Sequence, residues 1–277
     1  MGWRRPGTSR CAPARGGSRH ARQYTRGVLI LRSLATALFI VAVPVFLVLS
    51  FVRIAAVEPR VHEYGFSRYD AEQRTGIDRA EIDRAAREII RYFRNDDELL
   101  AIAVTVDGEE RELFNEREVL HMKDVKDLIR LAFGVHELAF LYLVAFVVGV
   151  LAWNRVRPME ELARDVRVAG IATVVLLVVA ASAVVVGFDA LFRQFHVLSF
   201  ANDFWQLDPK RDHLVQMYPQ GFWFDVTLAV GLLAAACGGL LWLAAFGYER
   251  YVRREAPEPP PTDAPVVDGD AATEPGG

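Results

Sequence analysis

The sequence predicts an all-α membrane protein, a four-transmembrane-helix bundle carrying a small extracytoplasmic α+β element. Three observations lead there. Apolar residues make up 52% of the chain, yet they collect into four long blocks instead of spreading as a soluble core would. Arginines cluster on the short segments flanking those blocks. One long intervening segment changes between helical and strand periodicity, as a folded domain does.

The first block, 33–52, reads SLATALFIVAVPVFLVLSFV and has no charge. The second covers 131–153, the third 168–188 and the fourth 224–246. Each reaches or nearly reaches the roughly twenty residues that a helix needs to cross a hydrocarbon core of about 30 Å. Pro44 and the glycines are compatible with this, because neighbouring helices re-satisfy freed backbone groups. No block has a polar face at helical spacing, which a buried helix of a soluble protein would need. The first block is too long for a signal-peptide core and lacks a small-x-small cleavage site, so it is expected to stay as a helix.

Orientation follows from the short flanks. The N-terminal segment 1–32 carries Arg4, Arg5, Arg10, Arg15, Arg19, Arg22 and Arg26, and the loop 154–167 carries Arg155, Arg157, Arg164 and Arg167. Arg250, Arg253 and Arg254 follow the fourth block. All three regions fall on one side of a four-span topology, and the positive-inside rule makes that side cytoplasmic. Both termini are therefore expected in the cytoplasm. The Arg-, Gly- and Ser-rich first thirty residues are expected to be disordered, and so is the acidic, Pro-rich tail within 247–277. Cys11 and Cys237 lie in a tail and in a span, so no disulfide is expected.

The outer segment 53–130 has patterned structure. From Asp78 to Arg94, Ile82, Ala85, Ala86, Ile89, Ile90 and Phe93 share one helical face, with Asp78 or Thr75 available as the cap. Residues 101–114 read as two strands joined by Asp107-Gly108, a pair suited to a turn whose central residues both want positive φ. Asn115 can then cap a helix that runs into the second span. The second outer segment, 189–223, is aromatic-rich and suits the headgroup level of a bilayer.

Two polar residues stand out on this face. His121 lies in NEREVLHMKDVK just before the second span, with Arg117, Glu118 and Asp124 one turn away. His196 lies in FHVLSFANDFWQLDPKRDHL just after the third, followed by Asn202, Asp203 and Asp208. An imidazole can exchange a proton near neutral pH, and a neighbouring carboxylate can fix its tautomer. Read structurally, the same histidines are interfacial residues bonded to their neighbours.

NEREVLHMKDVK after a hairpin strand, and FHVLSFANDFWQLDPKRDHLVQMYP before the last span, resemble the Lit family of bacterial lipoprotein intramolecular transacylases. The resemblance covers about Leu34 to Tyr248 and is specific in those two segments. It implies transfer of the sn-2 acyl chain of a diacylglyceryl-modified N-terminal cysteine to that cysteine's α-amine, giving a lyso-form lipoprotein. It places the family's two essential histidines on His121 and His196. Diacylglyceryl lipoproteins and membrane lipids are then the expected partners, at the outer face of a bacterial cytoplasmic membrane. No cofactor, metal or nucleic acid is expected.

Donor ester and acceptor amine belong to one molecule, so the enzyme has chiefly to hold them in an attacking geometry and move protons. His121 is favoured as the base, with His196 polarising the ester carbonyl or protonating the leaving oxygen. Glu118 or Asp124 would orient His121, Asn202 would donate to the oxyanion, and Asp203 lies beside it. Rival sites are Ser199 as a nucleophile and a metal held by His121, His196, Asp203 and Asp208. His136 and Glu137, in the outer end of the second span, line the same cavity or pair with Arg193 or Asp225. A non-catalytic lipid- or protein-binding membrane protein is the alternative of a different class.

Overall fold

The computed structural model describes residues 17–153 and 157–255. Four long helices dominate it: α1 (Gly17–Val57), α5 (Glu116–Trp153), α6 (Pro158–Ser199) and α8 (Gln220–Glu255). Each contains a window of mean hydropathy between 2.1 and 2.8, long and apolar enough to cross a membrane. Between α1 and α5 come α2 (Pro59–Arg68), α3 (Ala71–Thr75), α4 (Arg79–Tyr92), and strands β1 (Ala103–Val106) and β2 (Glu109–Glu112). Helix α7 (His213–Met217) lies between α6 and α8.

Within the bundle, contact is made by small residues and flat rings, as expected where lipid tails compete equally well for apolar side chains. Helix α6 meets α8 at Gly170 and Gly238. A Cβ on Gly170 would stand 2.6 Å from the Gly238 carbonyl oxygen, and one on Gly238 would stand 2.8 Å from Thr173 Cγ2. Helix α1 meets α5 through stacked Phe39 and Phe146 rings, 4.3 Å apart. The Tyr142 hydroxyl there donates to the Ala35 carbonyl at 2.6 Å.

Two segments expected to be disordered are helical in part. Helix α1 begins at Gly17 and α8 continues to Glu255, well past the apolar blocks. Once a span has nucleated a helix, each added residue costs little, and no proline interrupts either extension. Residues 1–16 and 256–277 of the two tails lie outside the described residues.

The segments 53–130 and 189–223 form one element beyond the apolar spans, called the outer element for its position at the end of the bundle. Its core contains Phe66, Ile82, Leu113, Met122, Met217 and Phe222. Asp78 caps α4 by accepting from the Ala80 amide at 2.8 Å. The hairpin turns at Asp107 (φ 54°) and Gly108 (φ 82°), pairing Val106 with Glu109. Only β1 feeds the core, through Val104; every residue of β2 faces solvent. The aromatic-rich segment differs from its expected form. Phe200 and Phe222 are buried in protein, leaving Phe195 and Trp223 exposed. The third long helix runs on to Ser199 across a break at Gly187 (φ −149°, ψ 45°), so its last three turns are redirected over the outer element. Helix α2 is fixed to α8 where the hydroxyls of Tyr64 and Tyr69 both donate to Asp225 Oδ2, at 2.8 and 2.7 Å.

Gly170→Val is expected to destabilise the protein by about 1–3 kcal/mol, because the α6–α8 backbones have no room for a side chain. Gly149→Val, where a Cβ meets nothing within 4 Å, is the matched control and is expected to leave the melting temperature unchanged. Thermal unfolding in detergent checks both.

Candidate active site

The site begins with how α5 starts. Asn115 Oδ1 accepts from the Glu118 amide at 3.1 Å, and Glu118 Oε2 accepts from the Asn115 amide at 2.8 Å, a reciprocal capping box. The other carboxylate oxygen of Glu118 accepts from the Leu214 amide at 2.6 Å, at the start of α7. Asn115 Nδ2 donates to Asp212 Oδ1 at 2.9 Å. Glu118 is 1% exposed, and burial pushes its carboxyl up while the two amides hold it down. Both its oxygens are engaged by backbone, so the geometry makes it a clamp between α5 and α7 and not a partner of His121.

One turn further on, His121 faces His196 from the redirected end of α6. Their ring centroids are 6.1 Å apart, and both side chains are buried. Phe200 stands edge-on to His121 at 5.2 Å. Phe192 (4.4 Å), Trp205 (5.1 Å) and Phe195 (5.3 Å) surround the His196 ring. His196 Nδ1 lies 2.7 Å from the Phe192 carbonyl oxygen. A carbonyl can only accept, so Nδ1 carries the proton and the lone pair of the neutral ring sits on Nε2. His121 Nδ1 is buried with no partner.

Of the other residues singled out in the sequence, Asp124, Asn202 and Asp203 tie the loop after α6 to α5. Asn202 Nδ2 donates to Asp124 Oδ2 at 2.8 Å, tying the loop after α6 to α5 one turn beyond His121. Asp203 pairs with Arg117 at 3.4 Å, and Arg117 also donates to the Asp203 carbonyl. Ser199 is the last residue of α6. Asp208 accepts from the Lys210 amide and pairs with Arg211. Among the described residues, no group of three or more His, Cys, Asp or Glu is placed to hold a metal ion.

The partners expected for His136 and Glu137 are corrected. His136 Nε2 lies 2.9 Å from Ser50 Oγ, and its ring stacks on Phe46 at 4.9 Å. Glu137 pairs with Arg53 at 3.0 Å. Asp225 is taken by Tyr64 and Tyr69, and α1 reaches His136 and Glu137 because it packs alongside α5.

The fold brings three further residues to the histidine pair: Arg117, noted in the sequence only as a neighbour of His121, and Phe200 and Trp205 of the aromatic-rich segment. Arg117 Nε is buried with no partner, one turn before His121 on the same face of α5. The i, i+4 spacing of Arg117 and His121 was the available signal. Nothing in the sequence marked which rings of the aromatic segment would turn inward.

The charged turns of α5 before Leu131 lie outside the apolar stretch. There, burial and then the proximity of His196 pull the His121 imidazole down to about 4. A free histidine titrates near 6.5. His121 therefore stays neutral through the physiological range. The stability that its neutral burial allows is intact above pH about 6.5 and is lost as pH falls towards about 4. Nitrogen chemical shifts of labelled imidazole should show His121 neutral at pH about 6, and a midpoint near 6.5 would contradict this assignment. Glu118→Ala should cost roughly 2–4 kcal/mol by orphaning two buried amides, with Glu118→Gln losing less; chemical unfolding measures both.

A family model described as lipoprotein intramolecular transacylase Lit matches residues 37–223, more than half of the chain. An uncharacterised protein of Aquifex aeolicus (strain VF5) is 28% identical over 133 residues, 46% of this chain and 54% of that protein. The chain thus aligns with about half the length of that curated relative. Among solved structures, the membrane-integral lipoprotein intramolecular transacylase Lit from Bacillus cereus superposes with TM-score 0.66 at 18% identity, over 81% of this chain and 98% of that one. The same protein with one histidine changed to alanine superposes with TM-score 0.63 at 16% identity, over 84% and 97%. At these identities the structures speak for the fold, and the family model speaks for descent. The chain belongs to the Lit family of lipoprotein intramolecular transacylases.

Proposed function

We propose that this protein moves the sn-2 acyl chain of a diacylglyceryl-modified N-terminal cysteine to the α-amine of the same cysteine, releasing a lyso-form lipoprotein. The observation that carries this reading is the pair of buried imidazoles, one from α5 and one from α6, with ring centroids 6.1 Å apart. An apolar lip adjoins them: Phe195, Val197 and Leu198 are 50%, 52% and 78% exposed, beside His196 on the same helix. Such a lip suits a substrate whose acyl chains stay in the bilayer.

The tautomers support a division of roles. His196, with Nδ1–H held by the Phe192 carbonyl, presents the Nε2 lone pair and acts as the base. This reverses the preference for His121 drawn from sequence. His121 is neutral, and its unpartnered Nδ1 is less costly as a bare acceptor than as an N–H. The proton then sits on Nε2, which donates to the ester carbonyl oxygen. A neutral imidazole kept from protonation by burial can serve as such an electrophile.

The neutral α-amine attacks the ester carbonyl carbon, and His196 Nε2 takes the amine proton. The oxyanion is held by the His121 N–H and by Arg117 Nε–H, the buried donor with no partner. As the intermediate collapses, the C–O bond to the glycerol breaks and His196 returns its proton to the departing sn-2 oxygen. One amide and one hydroxyl are formed, and both histidines end as they began. Asp124, Asn202 and Asp203 support the site by bracing the loop after α6 against α5. Arginines at the opposite end of the bundle support an orientation with cytoplasmic termini and the histidine pair at the outer face.

The test is mass spectrometry of a lipoprotein N-terminal peptide from cells lacking their usual N-acylating enzymes. With the wild-type protein the acyl chain is expected on the α-amine. With His121→Ala or His196→Ala, conversion should fall on the order of 10²–10⁴-fold while the protein remains folded in the membrane. A peptide that stays diacylated with the folded wild type overturns the reading. Arg117→Lys keeps the charge but loses Nε–H, and should lower kcat about 10²-fold with KM nearly unchanged.

A further inference from the structure

The bundle end remote from the histidine pair holds a second feature that this chemistry does not use. Between the first turns of α6 and the last turns of α8 lies an open groove of about 520 Å³, lined by Arg167, Phe246, Glu249, Arg250, Arg253 and Arg254. Four arginines against one glutamate leave three positive charges uncompensated there. Arg167 Nε is paired with Glu249 at 3.1 Å. The Arg250 guanidinium lies over the Phe246 ring, 5.2 Å from its centroid. Arg253 and Arg254 are exposed and have no ion pair among the described residues.

Arginines in the last turn of a helix also complement its dipole, which accounts in part for Arg253 and Arg254. It does not account for Arg167, which comes from the opposite helix, or for Arg250 a turn earlier. The groove also has an apolar wall. Phe246 is 40% exposed, and Leu243, one turn before it on α8, is 53% exposed. That wall continues from the guanidinium groups onto the lipid-facing surface of the span. A site with guanidinium donors at the water boundary and an apolar flank running into the bilayer matches an amphiphile with an anionic head.

We propose that this groove binds the phosphodiester headgroup of an anionic membrane phospholipid, with its acyl chains along Phe246 and Leu243. The guanidinium forks hold the phosphate oxygens, and Glu249 keeps Arg167 in place without cancelling the field. The proposal is independent of the histidine site.

Native mass spectrometry of the full-length protein in detergent, titrated with phosphatidylglycerol, phosphatidylcholine or inorganic phosphate, provides the test. With about 1 kcal/mol expected for each basic residue near an anionic surface, phosphatidylglycerol should bind roughly a hundredfold tighter than phosphatidylcholine. The combined variant Arg250→Ala, Arg253→Ala, Arg254→Ala should bind the two lipids alike while its melting temperature and transacylation of a lipopeptide stay unchanged. If that variant is not recovered folded, the single exposed substitution Arg253→Glu carries the comparison and should lower phosphatidylglycerol affinity about tenfold. Equal binding of the two lipids by the wild type overturns the proposal. So does a preference that survives substitution, or displacement of the lipid by inorganic phosphate at equal concentration, which would mark a free-anion site.

Discussion

The arrangement of the outer element rests on one buried carboxylate. Glu118 accepts from the Asn115 amide that opens α5 and from the amide of Leu214 in α7, which lies 96 positions away from it in the chain. A carboxyl group this deeply buried is tolerated because each of its oxygens accepts from a backbone N–H, and removing it would leave those donors without partners. The clamp joins the two outer segments of the chain, and one turn later the same helix presents His121. Asp212 extends it, accepting from Asn115 on one oxygen and from the Asp208 amide on the other. What holds the outer element together and what aims the first histidine are thus the same short stretch of α5.

The second histidine depends on a different constraint. A helix crossing a bilayer keeps its direction because every backbone group must be satisfied within it, and a change of direction is tolerated most easily where the hydrocarbon ends. Gly187 breaks α6 at the end of its apolar run, and the three turns beyond it carry His196 over α5. The Phe192 carbonyl, one turn earlier in that short stretch, fixes the tautomer of the ring. The pair is therefore built on helices, with the loop 200–205 serving as a brace held by Asp124 and Arg117.

The two ends of the bundle divide the polar chemistry between them. At one end, two histidines lie buried among aromatic rings, where a low dielectric strengthens the hydrogen bonds they make. At the other, arginines remain open to water around the groove between α6 and α8. Between them the described spans bury few charges, and Arg53 with Glu137 sits near the outer boundary of α1 and α5. Each end can therefore be altered with little effect on the other.

What the sequence by itself determined were features set by local physics. Twenty apolar residues in a row dictate a span, Asp107-Gly108 dictates a tight turn, and Asn115, with Asp78 or Thr75, marks the helix starts, because each acts through its immediate neighbours. His121 and His196 could be singled out for the same reason, as polar residues of the right chemistry at the ends of apolar runs. Short helices α2, α3 and α7 could not, since helices of five to ten residues owe their stability to the core they cover. Only the tertiary structure decided that Glu118 clamps α7, that Glu137 meets Arg53, and that Phe200 and Trp205 close around the histidines. Those outcomes depend on which distant segment supplies the partner, and burial makes an unpartnered polar group too costly for that choice to be left open.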